Sequence, residues 1–182
     1  MFVTTGLPVN LLVKRAEAVQ KQLGRPLDVV LNYANMTLQN TTLKPSIPQF
    51  HQAGVKCILT ASPLSMGLLR SGGPQPWHPA TQAQKAACVR VRDYVEGKGE
   101  NLADTCMRFL FAKWDEGVVG GWSNIKELDD AVQMWHRAKS GVDRQKDEIL
   151  WKEAREVMGD QVDTMWASPW KGWVYKDGTK VE

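Results

Sequence analysis

The sequence predicts an α/β fold built on a parallel sheet. Short β-like runs alternate with runs of helical period along most of the chain, the order that right-handed β-α-β crossovers produce. The runs at 27–33 and 55–61 are almost continuously apolar and rich in β-branched residues, as strands covered on both faces are. Composition agrees: 43% hydrophobic and 24% charged residues are ordinary for a folded globular chain. The length of 182 residues suits one domain at ~100–200 residues each.

Each element has its own justification. Phe2-Val3-Thr4-Thr5 reads as a strand stopped by Gly6-Leu7-Pro8. Apolar residues at 9, 12, 13, 16, 19 and 23 then recur at helical spacing, and Gly24 stands where a helix ends. Leu27–Tyr33 is the second strand. Lys44-Pro45-Ser46-Ile47-Pro48 cannot continue a helix from the preceding turn, and a short helix is expected over 48–53, ended by Gly54. Val55–Ala61 is the third strand, stopped by Ser62-Pro63, and 62–80 is a long loop rich in Gly and Pro. Thr81 caps a helix to Glu96. A second helix runs from Asn101 to Lys113 with Leu102, Ala103, Cys106, Phe109 and Leu110 on one side. Val118-Val119-Gly120-Gly121 is a brief fourth strand. Ser123 caps a helix whose apolar stripe is Ile125, Leu128, Val132 and Trp135. A charged helix spans 143–158, and the last 24 residues read as an irregular tail.

Several function classes are excluded at this level. The net charge is +3, with basic and acidic residues interspersed, and the pI is about 8.8; this leaves no footprint for nucleic acid. No apolar run approaches the ~18 residues of a membrane span, and the first residues lack the pattern of a signal peptide. Cys57, Cys88 and Cys106 stand far apart with no metal-ligand or disulfide spacing, which suits a reducing, cytoplasmic setting. No metal site is expected.

In parallel α/β folds, ligands bind beyond the carboxyl ends of the strands. Four exits are legible: Thr5–Pro8, Asn32–Asn35, Ala61–Gly67 and Gly120–Asn124. At the fourth, two glycines precede a capped helix, whose dipole and free N–H groups favour an anion. A tight turn with a simple cap is the preferred reading, and neither GxxxxGK[ST] nor GxGxxG is present. His51, His78 and His136 have no triad partners nearby in sequence and read as surface or packing residues. The cysteines read as buried structural thiols. Glu127, Asp129 and Asp130 complement the helix dipole. Eight tryptophans include Trp151, Trp166, Trp170 and Trp173 in the last 32 residues, and packing explains these better than a ligand surface.

The third strand and its loop are more specific. Gly54-Val55-Lys56-Cys57-Ile58-Leu59-Thr60-Ala61-Ser62-Pro63-Leu64-Ser65-Met66-Gly67-Leu68-Leu69, followed by Gly73-Pro74-Gln75-Pro76-Trp77-His78-Pro79-Ala80, resembles aldo-keto reductases, in particular the L-galactose and fungal D-arabinose dehydrogenase type. Residues 27–43 and 118–123 are similar to the same group, and the resemblance runs over about residues 2–138. It implies a partial (β/α)8 TIM barrel, the second half, with about four parallel strands and flanking helices. Residues 1–140 would form that C-terminal half-barrel, and 141–182 a helix plus a Trp-rich tail.

The resemblance also implies NAD, or NADP, as cofactor and a sugar as substrate. Thr5 and Gly6 fall where the family holds the nicotinamide amide; Thr5 keeps a donor there and Gly6 has none. Tyr33 falls at a strand-six cofactor position. Ser62, Leu64, Ser65 and Met66 match the loop around the pyrophosphate, with Ala61 where many members stack a tyrosine. Gly121, Trp122, Ser123 and Asn124 match the adenosine-phosphate loop. Glu127 and Asp130 stand where NADP-preferring members tend to carry a basic residue, so NAD is expected over NADP. The family's catalytic Asp, Tyr, Lys and His come from the first four strands, and no residue here inherits those roles. Two functions follow as expectations: an oxidoreductase chain that keeps the cofactor half without the catalytic tetrad, or a non-catalytic half-barrel that binds or regulates and pairs with another subunit. Four strands leave open edges, so self-association is expected.

Overall fold

A computed structural model describes residues 1–166 and the short strands at 174–176 and 179–181. The expected α/β architecture is present. Strands β1 (Val3–Gly6), β2 (Val29–Tyr33), β3 (Cys57–Ala61) and β4 (Gly117–Val119) form one sheet in the order β1-β2-β3-β4. Every neighbouring pair is parallel, so all four strands end at the same rim. This is consistent with a partial (β/α)n barrel.

The strands are shorter than the apolar runs suggested, for local reasons. Phe2 donates its N–H to the Asp28 carboxylate at 2.6 Å and accepts from the Asp28 and Val29 amides, which ties the two strand entrances together outside the ladder. Val55 is held by its N–H to Phe50 O. Gly120 and Gly121 lie beyond β4.

Helix α1 (Val9–Leu23) buries Val9, Leu12, Val13 and Ala16, and Gly24 closes it in the left-handed conformation at φ 67°. The short helix expected over 48–53 is α2 (Ile47–Gln52), entered through a 3-10 turn, Lys44–Ser46. Pro45 and Pro48 sit in first-turn positions, where no N–H is needed. Helix α3 (Gln82–Gly97) begins with the predicted Thr81 cap, completed by Gln84 as a reciprocal capping box. Helix α4 (Leu102–Lys113) is buried well beyond one side, because Thr105 through Phe111 are all enclosed. It packs against α3, α5 (Ile125–Ser140) and α6 (Arg144–Met158).

Helix α5 departs most from the sequence reading. Its cap is Asn124, not Ser123: the Asn124 side chain accepts the Glu127 N–H. Its buried residues are Ala131 and Ala138, and Ala138 packs with Met107 and Phe111 of α4. The predicted stripe faces outward, with Ile125 77%, Leu128 43%, Val132 47% and Trp135 43% exposed. Small side chains allow α5 close approach to α4, and the larger apolar face is left over.

The described residues of the tail include regular elements. A 3-10 turn, Gly159–Gln161, follows α6, and β5 (Val174–Lys176) pairs antiparallel with β6 (Thr179–Val181). Trp151 and Trp166 are buried, as expected of packing residues; Trp170 and Trp173 lie outside the described residues. Among the described residues no helix is long and apolar enough to cross a membrane.

Candidate functional site

Strand register decides what faces where. Val30, Asn32, Ile58 and Thr60 alternate toward the helices and are buried. Val29, Leu31, Tyr33, Cys57, Leu59 and Ala61 point to the opposite face and are only half-buried. The rim of the sheet is built where these strands end.

Buried amides hold the rim together. Asn32 donates its side-chain N–H to the carbonyls of Gly6 and Leu7 at 2.9 and 3.0 Å, and Asn35 also donates to Leu7 O. They pin the exit of β1 to that of β2. Both lie within the second strand exit, 32–35, where the sequence alone assigns them no role. The available signal was an amide inside an otherwise apolar strand, since a buried polar group must find partners.

The loop after β3 is conformationally demanding. Ser62, Ser65 and Met66 all have positive φ (56°, 51° and 56°), a region that costs non-glycine residues and clusters at functional sites. The loop is fixed from several sides. Ser65 is fully buried, and its hydroxyl donates to Thr37 Oγ1 at 3.3 Å. His78 Nε2 lies 2.9 Å from Ser65 O, and the Ala80 N–H donates to His78 Nδ1 at 3.0 Å. The two contacts together define a neutral imidazole protonated at Nε2. Burial lowers the His78 pKa, partly offset by the Ser65 carbonyl. His78 is thus a packing histidine with a specific task, and Trp166 meets its ring edge-on at 4.9 Å between centroids.

The segment after α6 closes over the neighbouring loop. Gln39 donates to Gln161 O and Thr164 O at 2.9 and 2.8 Å. The Thr41 N–H donates to the Asp163 carboxylate at 2.7 Å, and Arg155 bridges Leu38 O and Asp163. Gln84, at the start of α3, donates to Thr164 Oγ1. Residues 161–166 therefore strap the loop at 37–41 to the loop that carries His78.

The fourth exit has a different character. Glu127 accepts the Ser123 N–H at 2.7 Å and the Asn124 side-chain N–H at 3.1 Å, so a carboxylate of this chain already sits at the start of α5. Asp130 is paired with Lys126 at 2.6 Å on the exposed surface. Trp122 is 41% exposed beside them.

The predicted site residues fall as follows. Thr5, Gly6 and Tyr33 close β1 and β2. Ser62, Leu64, Ser65 and Met66 form the strained loop, with Ser65 buried and the others half-buried. Gly121, Trp122, Ser123, Asn124 and Glu127 are exposed after β4. Gly6 faces α1, where a Cβ would meet Leu12 Cδ2 at 3.4 Å. Among the described residues no group of three His, Cys, Asp or Glu is placed to hold a metal ion.

Comparisons with known proteins agree with the fold. The chain is 29% identical over 129 residues to L-galactose dehydrogenase of Arabidopsis thaliana, covering 70% of this chain and 39% of that protein. It is 31% identical over 149 residues to D-arabinose 1-dehydrogenase of Saccharomyces cerevisiae, covering 79% of this chain and 44% of that protein. No protein-family model matches the chain. The chain spans less than half the length of these curated relatives. The two similarities, with the four-stranded parallel sheet, support an aldo-keto reductase-like family whose sugar dehydrogenases this chain resembles.

Proposed function

We propose that this chain is the cofactor-binding half of an aldo-keto reductase-type sugar dehydrogenase, and that it holds NAD across the rim of its sheet. The observation that carries this reading is the Glu127 carboxylate at the start of α5, at the same end of the parallel sheet as the strained loop after β3. A carboxylate at that place suits a ribose hydroxyl and repels a 2′-phosphate. Glu127 accepts two hydrogen bonds within the chain and has capacity for a third.

Each part of the rim has a distinct task in this reading. Thr5 offers a hydroxyl to the nicotinamide amide, and Tyr33 lines the same strand ends. Ser62, Leu64, Ser65 and Met66 shape the loop around the pyrophosphate, which His78 holds in its left-handed conformation. Gly121, Trp122, Ser123 and Asn124 border the adenosine side. The bound nicotinamide would accept a hydride from the sugar. We assign no acid–base residue to these four strands: both nitrogens of His78 are engaged in the loop. That observation also favours the second reading, a half-barrel that binds cofactor without turnover. The free thiols of Cys57, Cys88 and Cys106 support a reducing, cytoplasmic setting.

Titration with NADH and NADPH, followed by quenching of tryptophan emission, tests the cofactor assignment. The wild type is expected to bind NADH more tightly, and Glu127→Lys to reverse the preference. No NADH binding at millimolar concentration would sink the reading. Robust aldose oxidation by the purified chain would reject the non-catalytic alternative.

A further inference from the structure

Three buried oxygens beneath the rim have no partner among the described residues. Asn32, Asn35 and Thr60 are 0%, 1% and 1% exposed, and Asn32 Oδ1, Asn35 Oδ1 and Thr60 Oγ1 each lack a hydrogen bond. Buried side-chain oxygens nearly always have one, from the protein or from an ordered water.

The three oxygens belong to one place. Asn32 and Thr60 are register partners on β2 and β3, so their side chains leave the sheet on the same face, from strands ~4.8 Å apart. Ala34 takes a left-handed turn at φ 60°, and Asn35 after it donates to Leu7 O, the same carbonyl that Asn32 uses. Those bonds also fix the orientation of both amides. Each Nδ2 faces a backbone carbonyl, so each Oδ1 is the end left over. Solvent does not touch any of the three oxygens. A group added at the surface of the chain therefore cannot reach them, and whatever satisfies them is enclosed with them.

We infer that Asn32, Asn35 and Thr60 bind a single internal water below the exits of β1, β2 and β3. The bonding capacities match one for one. The water donates its two hydrogens to the two amide oxygens and accepts from the Thr60 hydroxyl. Three bonds are the usual number for a buried water. A monovalent cation fits less well, because all three oxygens are neutral and a buried charge without a counter-charge is costly. The site completes a brace across the rim. Asn32 and Asn35 tie the exit of β1 to that of β2 directly, and the water extends the tie to β3 through Thr60. The strand ends that carry Thr5, Tyr33 and Ser62 are then held at a fixed spacing. Occupancy of this site does not require NAD, so a failure of NADH to bind leaves it standing.

Crystallography and one isosteric substitution test it. Electron density of the wild type is expected to show one peak within hydrogen-bond distance of Asn32 Oδ1, Asn35 Oδ1 and Thr60 Oγ1. Thr60→Val keeps the side-chain shape and removes the hydroxyl. With the water in place, this breaks one of its three bonds, and the folding equilibrium constant from urea unfolding is expected to fall about 10-fold. A hydroxyl with no partner predicts the opposite sign, because valine removes the cost of burying an unpaired polar group. No density between the three oxygens, a peak with the short distances and high coordination of a metal ion, or a Thr60→Val variant at least as stable as the wild type would each overturn the inference.

Discussion

A buried guanidinium helps fasten α6 to α4, and its removal is a quantitative test of how these helices are held. Arg108 is 4% exposed and donates Nε to both oxygens of Asp147, at 3.1 and 3.3 Å; Asp147 is itself 5% exposed. A second nitrogen reaches Glu100 at 3.0 Å. Arg108→Met leaves the Asp147 carboxylate buried without a cation, a change that costs about 3–5 kcal/mol. Glu100 keeps Lys146 at 2.6 Å, so the cost falls mainly on Asp147. Arg108→Met with Asp147→Leu removes both charges and should recover most of the loss, because a buried pair replaced by packed apolar groups is often neutral. Urea unfolding followed by the emission of Trp151, which packs edge-on against Phe109 at 5.5 Å, measures both variants. At ~2–4 °C per kcal/mol for a domain of this size, the single variant melts about 10 °C lower. A single variant within ~1 kcal/mol of wild type, or a double variant no better than the single, would refute the reasoning.

Two further perturbations address the rim and the core. The lowered pKa of His78 means that the unfolded chain takes up this proton first. Stability should fall as pH drops below about 6.5, until the folded imidazole itself titrates. His78→Gln should remove this part of the pH dependence, read as the difference between wild-type and variant urea midpoints across that range. Burial pushes the Cys88 thiol up to about 12 and the Cys106 thiol well above its ordinary value. A disulfide-exchange reagent should therefore label half-buried Cys57 first in the native protein and all three thiols in urea, with the sites mapped by mass spectrometry. Rapid native labelling of Cys88 or Cys106 would contradict their placement.

Local chemistry was legible wherever a cap and a period coincide. Thr81 marked the start of α3, and Gly24 marked the end of α1. The parallel sheet was legible from apolar runs at 27–33 and 55–61, and a parallel sheet alone brings Thr5, Tyr33, Ser62 and Gly121 to one end. Period does not say which apolar face has a neighbour. The stripe of α5 has better spacing than its alanines, yet the alanines meet α4. Pro48 marked the start of α2, because the penalty of proline applies inside a helix and not in a first turn. The contacts that hold the rim were not legible. Gln39 with Thr164 and Thr41 with Asp163 join residues more than a hundred positions apart, and no local pattern reports such pairs. The engagement of both His78 nitrogens was hidden for the same reason: its partner Ser65 lies 13 residues away across a loop.

The strap after α6 also imposes an order of assembly. Gln39 meets Thr164 across a separation of 125 residues, and contacts that close so long a loop form slowly relative to local helix and neighbouring-strand contacts. The sheet and its helices can take shape while the loop at 37–41 still lacks its partners. During synthesis, that loop waits for the final part of the chain to emerge before it is fastened. Unfolding reverses the sequence: amides of the loop and strap should exchange with solvent in one shared low-energy opening, ahead of β2 and β3. Competence at the rim is therefore acquired last and surrendered first, while the sheet beneath it stays folded.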